Sequence, residues 1–234
     1  MAFDASNYKA PEPRVLPVIL LLDVSGSMEG DKINSLNKAV NEMIHSFIDA
    51  RRKERLIKLA IITFGNEVSL HTKYTNVSDL SHGITPLTAG GMTPLGTALR
   101  MAKDLIEDRN QLPPRAYRQI VVLVSDGQPN DDWRGPLEKF ITEGRSSKCK
   151  CFGIPIGNDA DRDVIKMFTR EEENIFFAEN AEDIENAFVS VSTSITQGDI
   201  PKDNNEIPEP QTYDKKPEQD AYLAGASEED EDDW

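Results

Sequence analysis

The stretch Val18-Ile19-Leu20-Leu21-Leu22-Asp23-Val24-Ser25-Gly26-Ser27-Met28 carries most of what the 234-residue sequence says about its fold. Five aliphatic residues in a row lack the alternation of a half-solvated strand, so residues 18–22 read as a strand covered on both faces. The strand gives way to a loop with one carboxylate and two hydroxyls at every second position. Asp23, Ser25 and Ser27 then offer hard oxygens to one space. Without thiolate or imidazole, that set suits Mg²⁺, with Mn²⁺ or Ca²⁺ as the other candidates. Gly26 is expected to let the loop turn tightly between the serines. The competing reading is an Asp/Ser turn that caps the following helix through local hydrogen bonds.

Beyond that stretch, apolar runs of strand length recur at 57–64, 120–124, 151–156 and 175–178. Between them Ile33, Leu36, Val40, Met43, Ile44, Phe47 and Ile48 trace one helical face, with Asp31 as candidate cap. A second helix is expected to begin at Pro94, bury Leu95, Leu99, Ala102, Leu105 and Ile106, and run until Pro113 and Pro114 stop it. Shorter helices are expected at 137–142 and 164–168, and a longer one at 181–195. Residues 67–75 alternate and follow Gly65-Asn66, which suggests a hairpin partner at a sheet edge. The expected fold is therefore α/β and doubly wound: a mostly parallel central sheet with one antiparallel edge strand and helices on both faces.

The formal charge is −15, from 26 Lys and Arg against 41 Asp and Glu. It argues against a protein that coats itself in nucleic-acid phosphate. Residues 198–234 hold 13 acids and 3 bases, −10 of that total, with four prolines. We read them as an acidic, disordered tail after a folded body at 14–197, itself preceded by an extension at 1–13. Tyr213, Tyr222, Leu223 and Trp234 are its candidate anchors. The tail's alternative uses are a short recognition peptide, a competitor for the metal position, or a nucleic-acid mimic. Within the body, Arg51, Arg52, Lys53 and Arg55 suggest a local basic patch. The longest apolar run, 15–22, is too short for a bilayer, contains Pro17 and ends in Asp23 rather than a cleavage site, so no membrane association is expected. Cys149 and Cys151 lack a second pair to complete a zinc site, and a reducing, cytoplasmic setting fits best.

Two later segments look able to complete the oxygen cluster. Gly90-Gly91-Met92-Thr93-Pro94-Leu95 is a glycine-permitted loop opening a helix, and Val122-Leu123-Val124-Ser125-Asp126-Gly127 is a buried strand ending in a carboxylate. Both are expected at the carboxyl end of the sheet, where ligands of open α/β folds bind. Asp23-x-Ser25-x-Ser27, then Thr93, then Asp126, in this order and at these boundaries, resembles the metal-ion-dependent adhesion site (MIDAS) of von Willebrand factor type A (VWA) domains over roughly residues 14–197. The resemblance implies that Ser25, Ser27 and Thr93 give side-chain oxygens to the metal. It implies that Asp23 and Asp126 bind directly or through water and hydrogen-bond the serines. The last coordination position is then left to an Asp or Glu of a protein partner.

The wording of residues 21–28 and 125–133 is most similar to the bacterial cytoplasmic TerY-like branch, associated with tellurite resistance. That branch implies a role in stress response or phage defence, with a Ser/Thr protein kinase and a PP2C-like phosphatase among the partners. The expected protein is thus a non-enzymatic interaction module. The alternative is a metal-dependent phosphoester hydrolase using Asp23. It is disfavoured because hydroxyls follow Asp23 where a second carboxylate is needed, and no general acid or base is evident. Asp131 and Asp132 are read as solvated loop charges or secondary acidic contacts, and Trp133 as a partner anchor or a residue packed beneath the loop. His45, His71 and His82 share no ligand spacing and are read as structural. Cys149 and Cys151 are expected to face opposite sides of their strand.

Overall fold

The computed structural model describes residues 13–50 and 55–197. The expectations for residues 1–12, for Arg51, Arg52 and Lys53, and for the acidic tail at 198–234 lie outside the described residues. In chain order the elements are β1 (Arg14–Asp23), α1 (Asp31–Asp49), β2 (Arg55–Phe64), β3 (Val68–Asn76), α2 (Leu95–Glu107), β4 (Ile120–Ser125), α3 (Arg134–Thr142), β5 (Lys150–Pro155), α4 (Arg162–Thr169) and α5 (Ala181–Gln197).

The five strands form one sheet in the order β3-β2-β1-β4-β5. β1 pairs in parallel with β2 and β4, β4 with β5, and only the edge strand β3 runs antiparallel. The central strand shows why its sequence is continuously apolar. Val18, Leu20 and Leu22 pack into a core with α1 and α5, while Ile19 and Leu21 pack into a second core with α2, α3 and α4. All five are fully buried. Burying each such side chain contributes about 1.5–3 kcal/mol relative to exposure, so both faces hold the strand in place. β3 keeps polar residues and is nowhere fully covered, as an edge strand requires.

Several local expectations are corrected. Residues 175–178 do not form a sixth strand but make two isolated bridges to the β5 edge, Ile175 to Gly153 and Ala178 to Ile156. Gly153 O accepts from Phe176 N, Pro155 O accepts from Ala178 N, and Gly157 N donates to Ala178 O. Pro155, between them, has no N–H to join the bridges into a ladder. α2 ends at Glu107, well before Pro113, because the Asp108 side chain accepts from Asn110 N and from Gln111 Nε2 and turns the chain there. Asp31 does not cap α1: Gly30 holds that position, and Asp31 is the first helical residue, where its charge faces the positive helix end. Arg55 belongs to no surface patch. It is buried and donates to the carbonyls of Ile195 and Thr196, closing the last turn of α5. Cys149 and Cys151 lie two residues apart and therefore on one face, both buried in the second core.

Candidate metal centre

The chain leaves β1, pairs β2 and β3 on one side of it, then crosses to β4 and β5 on the other. The order reverses between β1 and β4, and the crevice at their carboxyl ends is where the predicted residues meet. Leu22 pairs with Val124, so Asp23 at the end of β1 lies beside Ser125 at the end of β4. The structure brings together Asp23, Ser25, Ser27 and Asp126 through direct hydrogen bonds.

Asp23 is fully buried. Its Oδ1 accepts from Ser25 N at 2.9 Å and its Oδ2 from Ser125 Oγ at 2.6 Å. Both donors are neutral, and burial is the main cause that raises its pKa above the usual carboxylate range, with the Asp126 charge adding to it. Ser25 Oγ and Ser27 Oγ are 3.0 Å apart, and Ser27 Oγ donates to Asp126 Oδ1 at 2.7 Å. Asp126 Oδ2 accepts from Lys32 Nζ at 2.6 Å. Ser25, Thr93 and Asp126 are buried, whereas Ser27 is exposed and stands at the mouth.

Thr93 joins the cluster without a direct bond to the others. A Cβ placed on Gly127 would lie 3.8 Å from both Ser27 Oγ and Thr93 Oγ1, so both hydroxyls lie beside the start of the Asp126 loop. The loop that carries Thr93 is held by backbone contacts: Gly90 N donates to Val24 O at 2.7 Å, and Gly26 N to Gly91 O at 3.0 Å. Gly91 has φ +82°, and a Cβ there would overlap the backbone N and Cα of Asn66. Only glycine fits. Gly26, by contrast, does not need its freedom: it opens a short 3-10 turn, Gly26–Met28, without a positive φ, and a Cβ there would make only ordinary contact with Gly91 O.

Sequence reasoning missed four contributors. Lys32 and Ser125 are the partners of the two aspartates just described. Asn130 holds Thr93 on both sides, its Oδ1 accepting from Thr93 N at 3.0 Å and its N donating to Thr93 O at 3.1 Å. Asp131 accepts from Gly96 N, Thr97 N and Thr97 Oγ1, capping α2 from across the site. It is therefore not a free solvated loop charge. For Ser125, Asn130 and Asp131 the available signal was the concentration of polar side chains in residues 125–131, directly after a buried strand; nothing in the sequence pointed to Lys32. Trp133 is half-buried against the second core, beneath the loop, with the Arg134 guanidinium 4.6 Å from its ring centre. An open cavity of about 590 Å³, lined by Glu42, His45, Asp49 and Thr193 among others, lies at the far ends of α1 and α5 and takes no part in this cluster.

The donor chemistry fits a hard divalent ion. Among the described residues no group of three or more His, Cys, Asp and Glu could hold a metal. A cation here must therefore use the hydroxyls of Ser25, Ser27 and Thr93 beside the two carboxylates, a set suited to an ion that keeps some of its water. Asp23, buried among neutral donors, is the group such a charge would favour most.

Comparisons with known proteins bear on the fold and the family. The family model of the von Willebrand factor type A domain matches residues 18–189. Inter-alpha-trypsin inhibitor heavy chain H2 of Homo sapiens is 27% identical over 168 residues, 68% of this chain and 17% of that protein. Heavy chain H4 of Bos taurus is 27% identical over 161 residues, 64% of this chain and 18% of that protein. This chain thus spans under a fifth of the length of these relatives. Among solved structures, proximal thread matrix protein 1 from the mussel byssus, with a zinc-occupied MIDAS motif, is similar with a TM-score of 0.62 at 17% identity, over 78% of this chain and 48% of that one. The vWF domain of the type V pili tip protein Mfa5 from Porphyromonas gingivalis has a TM-score of 0.61 at 14% identity, over 82% of this chain and 99% of that one. At these identities the structural likeness is one of fold.

Proposed function

This chain belongs to the von Willebrand factor type A domain family, and from that premise we propose that it is a cytoplasmic, non-enzymatic protein-binding module that captures an acidic side chain of its partner at a divalent cation, Mg²⁺ in the first instance. The observation that carries the reading is Asp23, a buried carboxylate supplied only with neutral donors, beside the paired hydroxyls of Ser25 and Ser27 and the hydroxyl of Thr93. When bound, the cation supplies a Lewis-acidic position that accepts a partner's carboxylate oxygen. Asp23 and Asp126 provide the negative charge, Ser25, Ser27 and Thr93 the neutral oxygens, and Ser125, Asn130 and Asp131 fix the elements that carry them. The exposed Met92 beside Thr93 gives the mouth an apolar rim against which a partner packs.

The finer placement in a tellurite-resistance, stress-response or phage-defence system is also a proposal. It is supported by the wording of residues 21–28 and 125–133, and it implies a Ser/Thr protein kinase and a PP2C-like phosphatase as partner classes. The cytoplasmic setting is supported by two free, buried thiols. Among the described residues no helix is long and apolar enough to cross a membrane. The hydrolase alternative gains one group the sequence did not place, Lys32, but its ammonium is paired with Asp126 and acts as a donor rather than a base. The test is capture of host proteins by the immobilised full chain in Mg²⁺ and in chelator, beside Asp23→Ala. Capture lost in chelator and in the variant is expected. Equal capture in all three conditions rules out the cation bridge.

A further inference from the structure

Lys32 stands in the first turn of α1, five residues after Ser27, and its ammonium donates to Asp126 Oδ2 at 2.6 Å and to Ser27 O at 3.3 Å. Its side chain is 32% exposed, while that of Asp126 is fully covered. The other oxygen of Asp126 is taken by Ser27 Oγ. Asp126 therefore has a cationic partner built into the chain, and Asp23 has none among its hydrogen-bond donors. The two carboxylates of the cluster are not electrostatically equivalent.

A divalent ion and an ammonium drawn to the same carboxylate repel each other, and near a covered group that repulsion is weakly screened. Lys32 has the means to yield. Its charge sits on a flexible four-carbon stem at the solvent edge of the cluster, so it can leave Asp126 for water at modest cost. We propose that Lys32 is a tethered competitor for the divalent cation: its ammonium holds Asp126 Oδ2 and gives up that oxygen when the site loads, so Lys32 sets the cation concentration at which loading occurs. This inference rests on the metal-binding reading of the cluster. It adds that affinity is held down by the chain's own residue, and that Lys32 neutralises Asp126 whenever the site is unloaded.

The test is calorimetric titration of the chelator-stripped full chain with MgCl₂ at constant ionic strength, for the native sequence, Lys32→Met, Lys32→Arg and Asp23→Ala. Lys32→Met keeps length and removes charge, and is expected to bind Mg²⁺ about tenfold or more tightly than the native chain, the scale of one charge pair at intermediate dielectric. Lys32→Arg keeps the charge and is expected to stay within about threefold of native. A second measurement needs no variant: acetylation of Lys32 by a water-soluble active ester, read by mass spectrometry, is expected to rise on adding Mg²⁺ as the ammonium leaves Asp126. Lys32→Met binding no more tightly than native, or labelling of Lys32 unchanged by Mg²⁺, overturns the proposal; should Lys32→Met not fold, the labelling decides it. If Asp23→Ala binds Mg²⁺ as the native chain does, the ion is elsewhere and the metal-site reading fails first. Binding by Lys32→Met where the native chain shows none supports the competition, and no binding by any chain overturns both.

Discussion

Asp131→Ala should unfasten α2 from the metal-site loop. α2 begins after Pro94, which has no side-chain acceptor, so the unsatisfied N–H groups of its first turn depend on a distant cap. Asp131 supplies it, accepting from Gly96 N at 2.8 Å, Thr97 N at 2.9 Å and Thr97 Oγ1 at 3.0 Å. Loss of an N-cap costs about 1 kcal/mol, and a hydrogen bond to a charged acceptor is worth about 1.5–3 kcal/mol. The three bonds share one carboxylate and water can reach the freed groups, so they do not add; we expect a total of ~2–3 kcal/mol. At roughly 2–4 °C per kcal/mol for a domain of this size, the thermal midpoint should fall by about 4–12 °C. Asp131→Asn keeps an acceptor oxygen without the charge and should lose roughly half as much. Urea unfolding in chelator, followed by circular dichroism, separates this effect from metal binding. A loss below about 0.5 kcal/mol, the scale of an ordinary surface substitution, would refute the capping role.

Three other outcomes follow from the same geometry. Gly91→Ala places a Cβ against the Asn66 backbone at a φ of +82°, and should cost about 2–4 kcal/mol in urea unfolding; a neutral result would contradict the loop packing. Ser125→Ala leaves Asp23 Oδ2 buried without its donor, which should cost ~1–3 kcal/mol in chelator, measured by the same unfolding curve. Burial pushes the Cys151 thiol up to about 12, above its unfolded value near ~8.5. A raised folded value gives stability that is complete below the unfolded pKa and is lost as pH rises through it toward the folded one. The unfolding free energy should therefore fall between pH 8 and 10.5 by about two pKa-unit equivalents more in the native chain than in Cys151→Val, and parallel curves would count against the buried thiol.

The sequence conveyed what depends on neighbours a few residues apart. Strand β1 was legible because both its faces are covered, and the helical stripes of α1 and α5 because their spacing is local. The five candidate site residues stood out because each lies at a strand end or in the loop beyond one, and the structure brings them to one end of the sheet. What was hidden depends on contacts across the chain. No spacing rule ties Lys32 to Asp126, which is 94 positions away. Asp131 looked like a free loop acid because the N–H groups it satisfies belong to α2, 34 and 35 positions earlier. Arg55 looked exposed within a basic run, yet its acceptors are carbonyls at the end of α5, 140 and 141 positions later. The apolar run at 175–178 failed as a strand because of a proline on its neighbour, not because of anything in its own composition.

Asp23, Ser25, Ser27, Thr93 and Asp126 together should hold one divalent cation. Titration of the chelator-stripped full chain with Mn²⁺, followed by electron paramagnetic resonance of the free ion, measures this most directly when native chain, Asp23→Ala and Thr93→Ala are compared. The expected result is one bound Mn²⁺ per native chain, displaced by Mg²⁺, none on Asp23→Ala, and roughly tenfold or greater weakening on Thr93→Ala, as for loss of one metal-supporting group. Equal Mn²⁺ binding by all three chains, or no binding by the native chain, would contradict it.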